Sequence, residues 1–362
     1  MPAAIRVFLL TYRRPALLPR ALASLRAQTF TNWVCELHND APDDDSPRQL
    51  LDTLDDPRIT LHQHQKNWGA VTSFNHAFAA GPEPYASLLE DDNWWEPTFL
   101  ATAHAALEAS PAANVTWANM HIALEHSDGT WSNTGRTTWS ALPDDSTPRL
   151  FHWPQPLQFS DALHSNGAML YRAAASRQAL VPANLPLAII EPARERLLAG
   201  GWLLLPQPLA HFALTLRTAR SKDRAEWMRA QLIVAASYLA SVPTSSTDIA
   251  ELWGRLRAQT PPSTSLLFHL ALAGVRPSAL LRHARPIEWF RFLASAVLHP
   301  VILLRSLRFR SAHPMAWRAL VDGARARSHE TPSPRQSPLI HEKKIPDSSP
   351  TAPQNPVTHR RP

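Results

Sequence analysis

Cysteine is nearly absent from this sequence of 362 residues. Cys35 stands alone, which excludes an intrachain disulfide and any zinc site built from several cysteines. A binding or catalytic site in this chain must therefore use other side chains. The sequence predicts that oxygen atoms supply the chemistry.

The start of the chain lacks a long hydrophobic run. Residues 1–14 have no basic region, extended apolar core or small-residue cleavage site of the kind that marks a secretory signal. The apolar run at 7–10 has only the length of a strand. We therefore predict a cytoplasmic protein.

A basic and apolar stretch near the other end leaves two interpretations open. Residues 288–310 mix many large apolar side chains with arginines, but Arg291, His299 and Pro300 interrupt the run too often for a membrane span. One interpretation is an interfacial helix that contacts anionic lipid at the inner face of the membrane. The other is a helix pair that packs on the rest of the protein and presents a basic outer face.

Lysine and glycine are also scarce, with four lysines and 10 glycines against 34 prolines. The formal charge of +6 comes almost wholly from arginine, whose planar guanidinium suits bidentate contacts with phosphate. Nucleic acid, anionic lipid and a diphosphate ligand are all compatible with this balance. We do not predict nucleic-acid binding, because only charge supports it.

The first hundred residues alternate strand-like and helix-like patterns. Short apolar runs at 5–10, 33–37, 59–62 and 85–89 are strand-length, and helical patterns separate them. This alternation predicts an α/β fold with a mostly parallel, Rossmann-like sheet flanked by helices. Polar residues follow the second and fourth runs, at the sheet edge where ligands bind in such folds.

The pattern changes after residue 114. Further strands are predicted at 115–118, 121–125 and 168–171, with a turn at 127–129 and a long loop at 132–156. A helical pattern covers 193–199, and most of the chain from residue 222 onward reads as helix broken by prolines.

These shifts predict three parts of the chain. Residues 1–220 form the main domain, with one half at 1–118 and a second half at 119–220, and residues 221–327 form a helical C-terminal extension. Residues 328–362 are rich in Pro, Ser, Thr and charge and poor in aromatics, so we predict a disordered tail.

The run Glu90-Asp91-Asp92-Asn93 directly follows an apolar strand and carries the most chemical information. Clustered carboxylates repel one another unless a cation compensates them, and Mg²⁺ or Mn²⁺ prefers such oxygens. The alternative is a solvated acidic turn before a helix that starts near Glu96, where negative charge favours the helix dipole.

Five short segments lie in one order within about residues 5–118: Thr11-Tyr12-Arg13-Arg14 after the first strand; Gln28-Thr29 at a helix end; Asn39-Asp40 after the second strand; Asn67-x-Gly69 followed by Asn75; and Glu90-Asp91-Asp92-Asn93-Trp94-Trp95-Glu96-Pro97. In this register they resemble glycosyltransferase family 2, a family of inverting enzymes with the GT-A fold, with Arg13 where the family has Asn.

The resemblance implies a role for each matching residue. Tyr12 would stack on the nucleotide base in a pocket lined by Thr11, and Asp40 would accept a hydrogen bond from the base. Asp91 would hold the ribose. Asn67 and Asn75 complete the predicted substrate-binding residues. Asp92, together with Glu90, would bind the Mn²⁺ or Mg²⁺ ion that contacts the donor diphosphate.

The resemblance also implies a general base and a pair of substrates. Glu191 stands before the Arg196-Leu197 step, where the family places the aspartate that acts as general base, and Asp161 is the reserve candidate. The donor would be a nucleotide sugar, with a UDP-sugar as the leading choice, and the acceptor a glycan or a lipid-linked hydroxyl.

Two other functions compete with a glycosyltransferase. A nucleotidyltransferase of related fold would open with a glycine-rich phosphate loop, but residues 11–18 contain no glycine. A degenerate nucleotide-sugar-binding module without catalysis is favoured by the imperfect match around Glu191.

Two histidines weigh less in the sequence. His62 and His64 alternate on one strand face as metal ligands would. No carboxylate, however, lies at a spacing along the sequence that would indicate a shared metal site. We interpret both as surface histidines.

Overall fold

The computed structural model describes residues 4–79, 81–139, 147–176, 179–216, 224–258, 260–261, 264–274, 278–308 and 314–328. Residues 329–362, which make up nearly all of the predicted tail, lie outside this description. Ser328, the first residue of that prediction, instead ends the last helix.

The first half of the sheet consists of four parallel strands in the order β3-β2-β1-β4. The alternation in the sequence is confirmed, because a helix follows each of the first three strands. The elements are β1 (Ile5–Thr11), α1 (Leu18–Arg26), β2 (Trp33–Asn39), α2 (Ser46–Leu54), β3 (Ile59–Gln63), α3 (Ala70–Ala77) and β4 (Tyr85–Glu90).

The second half continues the same sheet as β4-β9-β6-β10-β5, with β7 on β6 and β8 on β10. Strand β9 is antiparallel to both neighbours, whereas β6 and β10 pair in parallel. The elements are β5 (Trp94–Trp95), α4 (Phe99–Ala109), β6 (Ala113–Glu125), β7 (Trp131–Thr137), β8 (Arg149–Phe151), β9 (Met169–Arg172), α5 (Ala173–Ser176), α6 (Leu187–Leu197) and β10 (Gly201–Leu214).

Several sequence predictions for this half were wrong in detail. The two strands expected after residue 114 are one long strand, β6, and the expected loop at 132–156 contains most of β7 and all of β8. Strand β10 was not predicted, since Pro206 and Pro208 argue against a central strand. The structure accommodates them at shifts in the pairing register between Leu205 and Ala210.

The helices of the C-terminal part are α7 (Arg224–Ser241), α8 (Ser246–Ala258), α9 (Leu266–Leu272), α10 (Ser278–Leu281), α11 (Pro286–Leu298), α12 (Pro300–Arg308) and α13 (Pro314–Ser328). The predicted C-terminal helical extension is thereby confirmed. Helices α7 and α13 pack on α6 around one apolar cluster that includes Ile189, Ile233 and Leu320. The boundary at residue 220 stays a prediction, because side chains on both sides of it share this core.

The two faces of the sheet differ near its β3 edge. On β2, Trp33, Cys35 and Leu37 are buried in the core formed with α1 and α4. Alternation of side chains sends Glu36 and His38 to the opposite face. His38 is paired in register with His62 of β3. Glu36, His38 and His62 therefore form a polar patch beside α3, on the face of the sheet opposite α1 and α4.

Candidate active site

Residues after β1 and β4 meet at the carboxyl edge of the sheet. Thr11 Oγ1 donates to Asp91 Oδ2 at 2.8 Å, and the Tyr12 backbone N–H lies 3.4 Å from the same oxygen. Asp91 is buried, and this burial, reinforced by the charge of Asp92, raises its pKa to about 6. The structure therefore brings Thr11, Tyr12 and Asp91 together, and their roles toward a nucleotide stay predictions.

Arg14 balances the charge of both aspartates. Its Nη1 lies 3.1 Å from Asp91 Oδ1 and 2.5 Å from Asp92 Oδ2. Arg20 holds the same turn from outside by donating to the Asp92 carbonyl oxygen at 3.0 Å. Arg14 belongs to the first segment of the resemblance but was given no role there, and Arg20 was not singled out in the sequence at all.

The donor set at this turn fits a hard divalent cation. Asp92 is partly exposed and its Oδ1 accepts no hydrogen bond from the described residues, so one carboxylate oxygen remains for a metal. Glu90 accepts a hydrogen bond from Asn93 Nδ2 at 3.0 Å and lies beside Gly167. A single carboxylate or two, completed by waters and phosphate oxygens, is the way magnesium is usually held.

Asp40 lies at the end of β2, and its backbone N–H donates to the Thr11 carbonyl oxygen at 3.0 Å. Its carboxylate accepts hydrogen bonds from the backbone N–H groups of Trp68 at 2.6 Å and Gly69 at 3.0 Å. Asn67 braces the same loop by accepting from Gly69 N at 2.7 Å. Asp40 and Asn67 are therefore on one loop system next to Thr11.

The turn after β1 is open to solvent. Tyr12 is 46% exposed, which leaves its ring available for stacking. Arg13 has a φ of 54°, in the left-handed region that Asn tolerates better than Arg. The departure from the Asn of the resembled family therefore costs backbone strain. Arg13 also pairs with the exposed Asp43 at 2.7 Å.

Asn75 lies elsewhere, on α3. Its Nδ2 donates to the Val181 carbonyl oxygen at 2.6 Å and its Oδ1 accepts from Val181 N at 3.0 Å. Arg194 Nη2 donates to the same Oδ1 at 3.3 Å. These contacts tie α3 to the chain before α6, and the substrate-binding role of Asn75 stays a prediction.

Glu191 reaches the acidic turn through a short loop. Its Oε1 accepts from Asn166 N at 3.3 Å. The next residue, Gly167, packs against Asn93 and Glu90. Asp161 accepts a hydrogen bond from Ala162 N at 2.9 Å.

Glu195, one helical turn beyond Glu191, was not singled out by the sequence. Its carboxylate is fully buried and accepts from Leu163 N at 2.6 Å, His164 N at 2.9 Å and Gln158 Nε2 at 2.7 Å, with His164 Nδ1 at 2.7 Å. Burial opposes its charge, but His164 and the other donors leave its pKa below the usual value. This residue shapes the loop that Glu191 contacts.

An aromatic wall flanks the same edge. Trp94 stacks on His211 with ring centroids 4.4 Å apart, and the Arg20 guanidinium lies 3.7 Å from the Trp94 ring and 3.8 Å from that of Trp131. Trp95, the neighbour of Trp94 in the sequence, packs in the core. The wall offers an apolar and cationic surface beside the aspartates.

One of the two histidine predictions was wrong. His62 is exposed, as expected, but His64 is only 5% exposed. His64 Nδ1 lies 3.0 Å from Asp40 Oδ1, and its Nε2 lies 3.0 Å from His38 Nδ1. The carboxylate partner that the sequence did not reveal is 24 residues away along the chain.

A mostly parallel sheet flanked by helices, with an acidic turn after its fourth strand and C-terminal helices packed on it, is the GT-A fold. Residues 7–162 match the family model for glycosyl transferase family 2. The match covers less than half of the chain, and over these residues the resemblance seen in the sequence is confirmed.

Individual relatives match over limited stretches. The chain is 30% identical over 98 residues to WcaA of Escherichia coli (strain K12), a protein named for a glycosyl transferase role in colanic acid biosynthesis. It is 28% identical over 105 residues to protein y4gI of Sinorhizobium fredii (strain NBRC 101917 / NGR234). The matches cover 27% and 28% of this chain, but only 35% of WcaA and 12% of y4gI.

A solved structure shares the fold over most of the chain. The crystal structure of S. aureus TarS 1-349 in complex with UDP superposes with a TM-score of 0.52 and 13% identity. The superposition covers 90% of each chain.

Proposed function

We propose that this chain transfers a sugar from a nucleotide-diphosphate-sugar donor to a hydroxyl of a glycan or lipid-linked acceptor, with inversion. The observation that carries the proposal is the cluster of Thr11, Asp91, Asp92 and Arg14 at the carboxyl edge of β1 and β4. The hydroxyl of Thr11 donates a hydrogen bond to the buried carboxylate of Asp91. The guanidinium of Arg14 donates to both Asp91 and the more accessible Asp92.

The donor would lie across this edge with its nucleoside toward β2. The exposed ring of Tyr12 would stack on the base, and Asp40 would accept a hydrogen bond from it. Asp91 would bind the ribose hydroxyls. UDP-sugars are the first donors to test, since the TarS structure of the same fold was solved with UDP.

The departing diphosphate carries the charge that the site must stabilise. A divalent metal ion, Mn²⁺ or Mg²⁺, held by Asp92 with Glu90 as second carboxylate would supply positive charge there. Arg14 lies against Asp91 and Asp92 and adds a fixed positive charge.

Glu191 is the proposed general base. Inversion requires a base on the face of the sugar opposite the leaving group, within hydrogen-bond reach of the acceptor hydroxyl. Glu191 is half-buried, and the Asn166-Gly167 loop connects it to the acidic turn. Within the described residues Glu191 accepts one long hydrogen bond, which is easily exchanged for one to a substrate hydroxyl.

A donor-hydrolysis assay tests this function. Purified protein is incubated with several nucleotide sugars, with and without Mn²⁺, and release of nucleoside diphosphate is measured. Metal-dependent release from at least one donor supports the enzyme. Donor binding by calorimetry without release would instead support a non-catalytic binding module, and absence of both would overturn the proposal.

We also propose that α11 and α12 rest on an anionic membrane surface. Their outward face is apolar rather than basic, with Phe290 67% and Val297 79% exposed in the described structure. Their one acidic residue, Glu288, is buried against Arg257 at 2.7 Å, while Arg285 and Arg305 are exposed. Apolar side chains bordered by arginine suit an anionic interface. No described helix is both long enough and apolar enough to span a bilayer.

Vesicle co-sedimentation tests this surface. We expect the protein to sediment with vesicles containing phosphatidylglycerol and much less with phosphatidylcholine alone. The double variant Phe290→Ser/Val297→Ser should lose most of this binding. The control Leu180→Ser, which changes an exposed apolar residue outside α11 and α12, should not. Equal behaviour of the two variants would contradict the proposal. The cytoplasmic location stays a prediction.

A further inference from the structure

A cluster of histidines and one carboxylate lies outside the donor edge. Glu36 and His38 project from the same face of β2, and His76 of α3 lies over them. A cavity of about 820 Å³ opens beside them and is lined by residues of β1, β2, β3, α3 and the loop between β3 and α3, including Phe8, His62 and Trp68. None of the predicted substrate-binding residues is part of its lining.

We infer that Glu36, His38 and His76 form a binding site for a divalent transition metal ion of the zinc type. One ligand atom from each residue lies within 4.8 Å of the other two. Glu36 Oε2 is 3.3 Å from His38 Nε2 and 3.9 Å from His76 Nε2. Two atoms bound to a tetrahedral zinc ion lie about 3.4 Å apart, so small side-chain rotations suffice.

The donor types select the metal. Two imidazole nitrogens and one carboxylate oxygen are a ligand set for Zn²⁺, with a further position for water, whereas Mg²⁺ and Mn²⁺ favour sites made of oxygen alone. This site therefore differs in chemistry from the proposed donor metal site at Asp92. His76 is partly exposed and gives an ion access from solvent.

The nearby charges permit a cation. Arg6 bonds the other oxygen of Glu36, Oε1, so Oε2 is left facing the histidines. Arg6 Nε also pairs with Glu83 Oε2 at 2.5 Å. Two carboxylates thus share one arginine, and the group carries a net negative charge before a metal binds.

The buried neighbours orient His38 for this role. A metal on His38 Nε2 places the ring proton on Nδ1, which then donates to His64 Nε2 at 3.0 Å. His64 must in turn carry its proton on Nδ1, from which it donates to Asp40 Oδ1 at 3.0 Å. Metal-bound histidines commonly donate their second ring N–H to such a partner, which fixes the ring.

The hydrogen bonds from His38 through His64 end on Asp40, a residue of the proposed donor pocket. Asp40 also accepts from the N–H groups of Trp68 and Gly69, so the metal, His38, His64 and Asp40 would hold the loop at 65–69 in place. This coupling to the donor rests on the proposed function. The metal site itself does not.

Metal binding is measured without any activity assay. The protein, first stripped with a chelator, is titrated with Zn²⁺ against a chromophoric competitor and with Co²⁺ by visible absorption. We expect a one-to-one site with a d–d band typical of nitrogen and oxygen ligands. Mg²⁺ at millimolar concentration should not displace Zn²⁺.

Matched variants assign the ion to these residues. His76→Ala, which changes a partly exposed position, should weaken Zn²⁺ binding at least 100-fold and abolish the Co²⁺ band. His64→Ala should weaken it about 10- to 100-fold through the lost partner of His38. His104→Ala, on α4 at the other face of the sheet, is the control. If His76→Ala and His104→Ala bind zinc equally, or wild type binds none, the inference is overturned, whatever the donor assay shows.

Discussion

Helix α6 carries two glutamates one turn apart, and their surroundings differ sharply. Glu195 is fully buried and has hydrogen-bond donors on both carboxylate oxygens. Glu191 is half-buried and makes one long contact, to the backbone of Asn166. The same side chain on the same helix face is thus held fixed in one place and left available in the other. Availability, not residue type, separates a candidate for chemistry from a structural carboxylate.

Asp91 and Asp92 repeat this contrast at the end of β4. Asp91 is buried with Thr11 and Arg14 on its two oxygens, whereas Asp92 is partly exposed with one oxygen unused by the described residues. The comparison fails if Glu191 or Asp92, the available carboxylates, proves dispensable for activity. It also fails if Glu195 or Asp91, the fixed ones, proves catalytic.

Glu191→Gln should give the largest effect. Removing a general base lowers kcat by about 10²- to 10⁴-fold, while the fold should tolerate the change because only one weak contact is altered. Steady-state transfer kinetics together with a thermal melt measure both quantities. Asp161→Asn is the matched control and should retain activity; a reversed outcome would make Asp161 the base.

Asp92→Ala should follow, with kcat/KM about 10²- to 10³-fold lower because the leaving diphosphate loses its cation. The exposed Asp43→Ala serves as control, since it also removes an aspartate paired with an arginine. The melting temperature of both variants should stay near that of wild type. If Asp92→Ala keeps its Mn²⁺ response, Asp92 is not the metal ligand.

Glu195→Gln should reverse the pattern by lowering stability about 2 to 4 kcal/mol, because a buried charged network is broken. The lowered pKa means that the wild-type carboxylate stabilises the fold above the usual Glu value of 4.5. That contribution is lost as pH falls through the lower folded-state pKa. The difference between variant and wild type in urea unfolding should therefore shrink in acid. A constant difference across pH would count against an ionised Glu195.

Arg13→Asn should have the smallest effect, a gain in stability of at most about 1 kcal/mol. Asn adopts the left-handed backbone more easily, although the exposed pair with Asp43 is lost and offsets part of the gain. Chemical denaturation at two salt concentrations separates these contributions. A loss of stability at high salt would show that the backbone at this turn is not strained.

Much of the donor half could be predicted, because its information is local. Short apolar strands separated by helices predict a mostly parallel sheet, and Thr11 ends one such strand while Asp91 follows another. The second half depends on pairing between distant segments. Strand β10 contains two prolines that local rules place outside a sheet, yet long-range pairing with β6 outweighs them.

The site shows the same division. Asp92 and Glu191 were predicted from segments that resemble the family, although the match around Glu191 is imperfect. Glu195, in contrast, looks like any charged helix residue until the 158–164 segment folds over it. His64 likewise gains its meaning from Asp40 and His38, which β-sheet register brings beside it. Contacts between residues so far apart along the chain leave no periodic pattern in a single sequence.

Arg327 of α13 donates to the carbonyl oxygens of Glu195 at 3.0 Å and Gly200 at 2.7 Å, and also to that of Leu198. It thereby satisfies the last carbonyls of the helix that bears Glu191, from more than a hundred residues along the chain. Cutting the protein after residue 220 to obtain a minimal catalytic fragment would strand these buried oxygens and expose the apolar side of α6. The smallest piece worth expressing therefore extends through the final described helix.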